Sequence, residues 1–182
     1  YTKLSIDYRD IKVHTWIVHL KSKLNSESVS ISQNAEIMRG ITREINENSL
    51  KHVLIIGDFN TAHFDTSMFE FYHLNSTNYF TDDDLAEKKF DGQERIKFYN
   101  PIGALSGDLA KGPPGTYYYN LPNQSQAWHT YDIALVSYSL SLHLDKQSCE
   151  IVTDLNGHTL NQANGRPFAK ISDHFPIRIR FS

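Results

Sequence analysis

Apolar and polar positions follow two periodicities along this chain. Ile11, Val13, Thr15 and Ile17 alternate with Lys12, His14, Trp16 and Val18, and both sets become more apolar toward the end. A period of two predicts a strand, and this one delivers His19 at a sheet edge. From about Ile31 to Asn48 the apolar residues Ala35, Ile37, Met38, Ile41 and Ile45 recur at helical spacing, with Glu36, Arg39, Arg43, Glu44 and Glu47 on the remaining surface. This amphipathic helix is expected to cover the sheet and return the chain to Val53-Leu54-Ile55-Ile56-Gly57. Four aliphatic residues closed by glycine read as a buried strand.

Beyond that strand the pattern weakens. Met68, Phe69, Phe71 and Tyr72 supply bulk for a second helix near Thr66 to Leu74, and the acids and lysines of Thr81 to Lys89 suit the dipole of a short helix. Residues from about Phe90 to Trp128 carry Gly92, Gly103, Gly107, Gly112, Pro113, Pro114 and Gly115, which predict a long loop over any site. Within it Thr116-Tyr117-Tyr118-Tyr119 reads as an aromatic strand. A further strand runs through Asp132, and Ile177 to Phe181 alternate as a half-buried strand. Strands mixed with helices predict an α/β (α+β) domain, and no linker or repeat divides residues 1–182.

Composition narrows the classes. With 40% hydrophobic and 21% charged residues the chain is an ordinary globular sequence. No stretch approaches the roughly 18 apolar residues of a membrane span. The first twenty residues hold Lys3, Asp7, Arg9, Asp10 and Lys12, which is no signal peptide. Cys149 is the only cysteine, so packing holds the fold, and a reducing, cytoplasmic compartment is the expectation. Asn75-Ser76-Thr77 and Asn123-Gln124-Ser125 match a glycosylation pattern that has meaning only in a secretory context. A net charge of −3 is not the footprint of a protein gripping long duplex through many phosphates. A small phosphorylated substrate, or nucleic acid engaged through a metal and a local patch, fits better.

The candidate chemistry gathers at strand ends. Asp58 and Asn60 leave the Val53 strand two residues apart, so their side chains project to one side. Ser172-Asp173-His174-Phe175-Pro176 puts an acid and an imidazole before the last strand. Hard oxygen ligands, a base for water and donors for phosphoryl oxygens are what phosphoester hydrolysis at a metal requires. Lys21 and Lys23 beside His19 form the densest basic cluster, suited either to substrate phosphate or to a solvated turn. Trp128 and the tyrosines read either as stacking platforms for a base or sugar ring or as edge-strand and core residues.

Taken in order, Trp16-Ile17-Val18-His19-Leu20, Gly57-Asp58-Phe59-Asn60, Tyr131-Asp132-Ile133 and Ser172-Asp173-His174-Phe175-Pro176 resemble the C-terminal portion of the endonuclease/exonuclease/phosphatase superfamily. The resemblance implies a DNase I-like β-sandwich flanked by helices, of which this chain builds mainly the C-terminal sheet. It implies that His19 contacts the scissile phosphate, that Asp58 orients or deprotonates the attacking water, and that Asn60 holds the phosphate. It further implies that Asp132 orients His174, that Asp173 serves the metal site, and that the ion is Mg2+, with Mn2+ or Ca2+ compatible with the same oxygen ligands.

The departures carry equal weight. The family's Asn or Asp at the end of its first strand and the Glu of its LQE-like segment have no counterpart here, and Glu27, Glu36, Glu44 and Glu47 read as solvated surface. The expectation is a domain lacking its N-terminal half, with an apolar inner face covered by that half, by a second copy or by another subunit. After Asn60 the run Thr61-Ala62-His63-Phe64 puts His63 where the family commonly has proline, either as a further phosphate contact or as a residue without a role. The expected activity is metal-dependent phosphodiesterase or phosphatase chemistry. The alternatives are a catalytically inactive binding or scaffold module on the same fold, and an unrelated α/β domain.

Overall fold

The computed structural model describes residues 1–22, 27–79 and 88–182, together with the backbone at the start of the first helix. Strand β1 (Thr2–Tyr8) turns through Arg9, at φ 51°, and Asp10 into β2 (Ile11–His19). Helix α1 (Glu27–Glu47) then leads to β3 (Val53–Asp58). One turn of helix, α2 (Thr66–Phe69), is followed by β4 (Ser76–Thr77), β5 (Lys88–Phe90), β6 (Gln93–Arg95) and β7 (Phe98–Tyr99). The hairpin β8 (Tyr117–Tyr118) and β9 (Trp128–His129) precedes β10 (Asp132–Ser137) and α3 (Tyr138–Ser141). Short pieces close the chain: β11 (Glu150–Ile151), β12 (Asp154–Leu155), β13 (His158–Thr159) and β14 (Ile177–Arg178).

The fold is mixed α and β, mostly sheet. Its centre is a six-stranded sheet in the order β1-β2-β3-β10-β7-β4. β2 and β3 run parallel, joined by α1, while β10 runs antiparallel to β3. Burial on the face under α1 drives this arrangement: Trp16, Val18, Val53, Ile55, Ile133 and Leu135 meet Met38, Ile41 and Ile45 in one core, all nearly solvent-free. The helix ends where Ser49 turns left-handed at φ 50° and Leu50 N–H reaches back to Ile45 C=O, which satisfies a carbonyl the last turn leaves open.

The opposite face is covered unevenly. Val13 and Val136 are buried with Leu140 beneath Ile179 and Phe181. Further along, Ile17 pairs with Ile56 and Thr15 with Leu54, yet Ile6 is 50% and Ile17 45% exposed. Apolar side chains of this sheet face therefore meet solvent at two places, Ile6 on the edge strand β1 and Ile17 near the end of β2. Among the described residues no helix is long and apolar enough to cross a membrane.

Several sequence expectations change. The expected helix from Thr66 stops after one turn at Phe69, where Glu70 goes extended. The acidic run of the short helix expected from Thr81 lies outside the described residues, but its rear lysines, Lys88 and Lys89, belong to β5, because they pair with Arg95 and Glu94. The last strand shortens to Ile177–Arg178, whose partner Glu150–Ile151 is itself only two residues long. Strand β1 had no forecast: its alternation of Leu4, Ile6 and Tyr8 is weak, and pairing with β2 along its whole length makes it a strand. Asn75 is 3% exposed and donates to the Ile96 carbonyl, so its triplet is not presented as an acceptor site.

Candidate active site

Strand register assembles the site. His19 is the last residue of β2 and lies level with Asp58, the last residue of β3; Asp132, the first residue of the antiparallel β10, lies level with Asp58 on its other side. Residues abreast in a sheet share a face, so an imidazole and two carboxylates stand side by side, on the face away from α1. Two glycines permit this packing. A Cβ on Gly57, at φ 139°, would come within 2.0 Å of the Val18 carbonyl oxygen, and one on Gly115 within 2.7 Å of the His129 carbonyl oxygen.

Side chains from elsewhere fasten these strand ends. Buried Asn34 of α1 accepts from the Lys21 N–H at 3.0 Å and donates to the Lys21 carbonyl at 2.9 Å, holding the segment that follows His19. Thr116, fully buried, has its carbonyl accept from Phe175 N–H at 2.8 Å and its hydroxyl accept from the Tyr131 and Asp132 N–H groups at 3.2 and 3.3 Å. One threonine thereby ties the His174 loop to the start of β10.

His19, Asp58, Asn60, Asp132, Asp173 and His174 all line one open cleft of about 920 Å³. His174 Nδ1 lies 2.7 Å from Asp132 Oδ2, the expected pair. Burial pulls the His174 imidazole down, but the Asp132 hydrogen bond and the charges of Asp132, Asp58 and Asp173 outweigh it and raise its pKa above the ordinary value. Burial raises the Asp58 pKa, helped by the charge of Asp132, against the lowering effect of the Asn60 N–H and the two histidines. The His19 side chain is 83% exposed, with Nε2 3.8 Å from Asp58 Oδ2, so it reaches the open cleft.

Asn60 adopts φ 46°, a left-handed conformation that asparagine tolerates. Its N–H donates to Asp58 Oδ1 at 2.8 Å, and its Nδ2 donates at 2.9 Å both to Asp58 Oδ2 and to the Leu20 carbonyl. Both amide protons are engaged, so in this conformation Asn60 fixes the Asp58 carboxylate and ties β2 to β3. Sequence reasoning put these residues together but assigned the amide to phosphate.

The other candidate contacts lie outside this cleft or outside the described residues. Lys21 Nζ donates to Gln33 Oε1 at 2.7 Å, and Lys21 does not line the cleft. Lys23 lies outside the described residues. Trp128 borders a neighbouring cavity, packed at 6.3 Å against Phe175 and edge-on to Tyr118 at 5.2 Å. His63 lines that cavity too, rather than the cleft. The cleft wall is aromatic instead: Tyr117 stacks with Tyr119 and Tyr131, Tyr131 with His129, and Tyr117 packs 4.6 Å from the His174 ring. Tyr131 had no assigned role; its place immediately before Asp132 was the available signal. Burial and the nearby Asp173 raise the Tyr117 pKa, keeping its phenol a donor.

The chemistry follows from this inventory. Three aspartates and no lysine or arginine are among the cleft's described lining residues. Among the described residues no three His, Cys, Asp or Glu groups converge as a closed metal cage. Mg2+ needs none, since it keeps several waters and binds through one or two carboxylates plus substrate phosphate. The exposed Asp173 carboxylate, which makes no hydrogen bond among the described residues, fits such an open oxygen site. A scan against models of protein families found no match to this chain. A search of curated proteins also found none.

Proposed function

We propose that the cleft hydrolyses a phosphoester, as a divalent-metal-dependent phosphodiesterase or phosphatase of the endonuclease/exonuclease/phosphatase type with a DNase I-like sheet. The observation that carries the reading is the convergence of His19, Asp58 and Asp132 on one sheet face by register, with His174 bonded to Asp132 in the same cleft. Asp58, more basic than an ordinary carboxylate through burial, accepts or orients the proton of the attacking water. Protonated His174, held by Asp132, and exposed His19 donate to phosphoryl oxygens. Water oxygen bonds to phosphorus as the ester P–O bond breaks in line. Asn60 acts as a positioning residue for Asp58. A bound Mg2+, with Asp173 as its carboxylate ligand, would supply positive charge for the phosphate and the leaving oxygen.

The exposed Ile6 and Ile17, with the half-buried Ile56 beside Ile17, support a covering partner. Apolar area removed from water there contributes roughly 25 cal/mol per Å². Since the His19–Asp58–Asp132 row lies on the same face, that cover, as a further segment, a second copy or another subunit, borders the cleft and would add groups to it.

The test is hydrolysis of bis(4-nitrophenyl) phosphate with and without Mg2+, alone and with Asp58→Asn and His174→Ala. Metal-dependent turnover lost in both variants supports the proposal. Turnover untouched in either variant removes that residue from the mechanism. A second reading, a non-catalytic binding module on this scaffold, draws on the engaged amide of Asn60, which leaves no amide proton for phosphate. No turnover in any metal, together with retained binding of a phosphodiester, favours it.

A further inference from the structure

Beside the cleft lies a second cavity of about 430 Å³, and Ala62 and His129 line both. Its size falls in the range of small-molecule pockets, roughly 300–1,000 Å³. Its described lining holds no Asp, Glu, Lys or Arg: the rings of Phe64 and Trp128 with Pro114 form the apolar walls, Ser125, Gln126 and His129 add polar groups at the lining, and His63, Ser106 and Thr130 form a linked polar cluster. Ser106 Oγ sits 2.8 Å from Thr130 Oγ1 and 3.5 Å from His63 Nδ1, while the other ring nitrogen of His63 makes no hydrogen bond among the described residues. Burial lowers the His63 pKa, which keeps the imidazole neutral, one nitrogen a donor and one an acceptor. Phe64 is 69% exposed at the rim, its ring held edge-on by His63 at 5.0 Å. Trp128 is immobilised by Phe175 and Tyr118, so the second aromatic wall is set in advance.

We infer that this cavity is a subsite for an uncharged planar ring, a nucleobase, belonging to a phosphoester whose phosphate lies in the adjoining cleft. Aromatic walls stack any base through its π-face, and a neutral imidazole with two hydroxyls reads the polar edge without demanding charge. A cationic group such as a quaternary ammonium finds no carboxylate among the described lining residues. The inference rests on the phosphoesterase reading for its orientation, with the ring attached to the ester and the shared Ala62–His129 rim as the passage.

The probe is adenosine, which has no phosphorus, titrated against the full chain by ligand-observed NMR, with ribose as the control lacking the base. Adenosine binding that ribose does not match, weakened about tenfold or more in Phe64→Ala as loss of one stacking face entails, supports the subsite. Absent binding, or binding undiminished in Phe64→Ala, overturns it. Binding lost in Tyr119→Ala but kept in Phe64→Ala overturns it as well, since the ring then lies on the tyrosine wall of the cleft. Hydrolysis of bis(4-nitrophenyl) phosphate is read separately, so failure of the subsite and failure of the phosphoesterase reading are distinct results.

Discussion

Gly57→Ala is the sharpest perturbation of the site's construction. Gly57 and Val18 are register partners on parallel strands, one residue before Asp58 and His19. A Cβ at Gly57 would stand 2.0 Å from Val18 O, 3.0 Å from Val18 C and 3.1 Å from Val18 N, all backbone atoms that no rotamer change can move. Reaching ordinary contact at 3.4 Å requires β2 and β3 to part by about 1.4 Å. The φ of 139° adds backbone strain for any L side chain. Overpacking and strain together cost on the order of 2–5 kcal/mol, against a typical total of about 5–15 kcal/mol. A displacement near 1 Å at a catalytic group costs roughly a hundredfold in rate, so turnover falls with stability. Urea unfolding and hydrolysis of bis(4-nitrophenyl) phosphate measure the two effects. The control is Gly40→Ala in α1, whose Cβ meets nothing within 4 Å and which gains about 0.5–1 kcal/mol by helix propensity. A Gly57→Ala chain with the wild-type urea midpoint and rate would refute the register argument.

Asp58→Asn and His174→Ala are each expected to lower turnover by about a hundredfold or more with the far-ultraviolet circular dichroism spectrum unchanged. The pH profile of hydrolysis should be a bell. Its acid limb is set by Asp58, raised by burial and by the charge of Asp132, and its alkaline limb by His174, where burial is outweighed by Asp132; Asp132→Asn moves the alkaline limb toward acid. Because the folded His174 pKa lies above its unfolded value near 6.5, its charge contributes stability fully below that pH. This contribution is lost as pH rises through the folded value, a loss that urea midpoints across pH 5–9 should register in the wild type and not in Asp132→Asn. Asn34→Ala removes two hydrogen bonds to the Lys21 backbone and is expected to destabilise by about 1–3 kcal/mol, with turnover reduced through a loosened His19, as urea unfolding and a rate assay would report.

Elements that carry their own pattern were legible in the sequence. β2, β3 and α1 each bury a full face, so their periodicity reports their packing directly. The helix nevertheless begins earlier than the apolar spacing implies, since its first turn buries Ser30, a polar residue whose hydroxyl donates to the Ser22 carbonyl. Strand β1 was not legible: Ile6 remains half exposed, and only its ladder with β2 makes it a strand. Among the two-residue strands after Ile151, β14 exists only through its distant partner β11, while β12 and β13 form a local hairpin across Asn156-Gly157, and strands this short leave no periodicity to read.

The site divides along the same line. Asp58, Asp132 and His19 were legible because each ends or begins a strand with a strong apolar signal, and register alone sets them abreast. His174 belongs to no strand; its position depends on the Phe175 N–H bonded to the Thr116 carbonyl and on Tyr117 packed against its ring. Neither contact has a sequence signature, since Thr116 and His174 are 58 residues apart by their numbers. Asn60 illustrates the limit most sharply. Its spacing from Asp58 put the two side chains together, but which way the amide protons point depends on the Leu20 carbonyl, one residue past the end of β2. That carbonyl is in reach because β2 and β3 are parallel and α1 anchors the chain just beyond it. The role of Asn60 is thus a consequence of strand pairing, and any change that parts β2 from β3 frees its amide and loosens Asp58 in a single step.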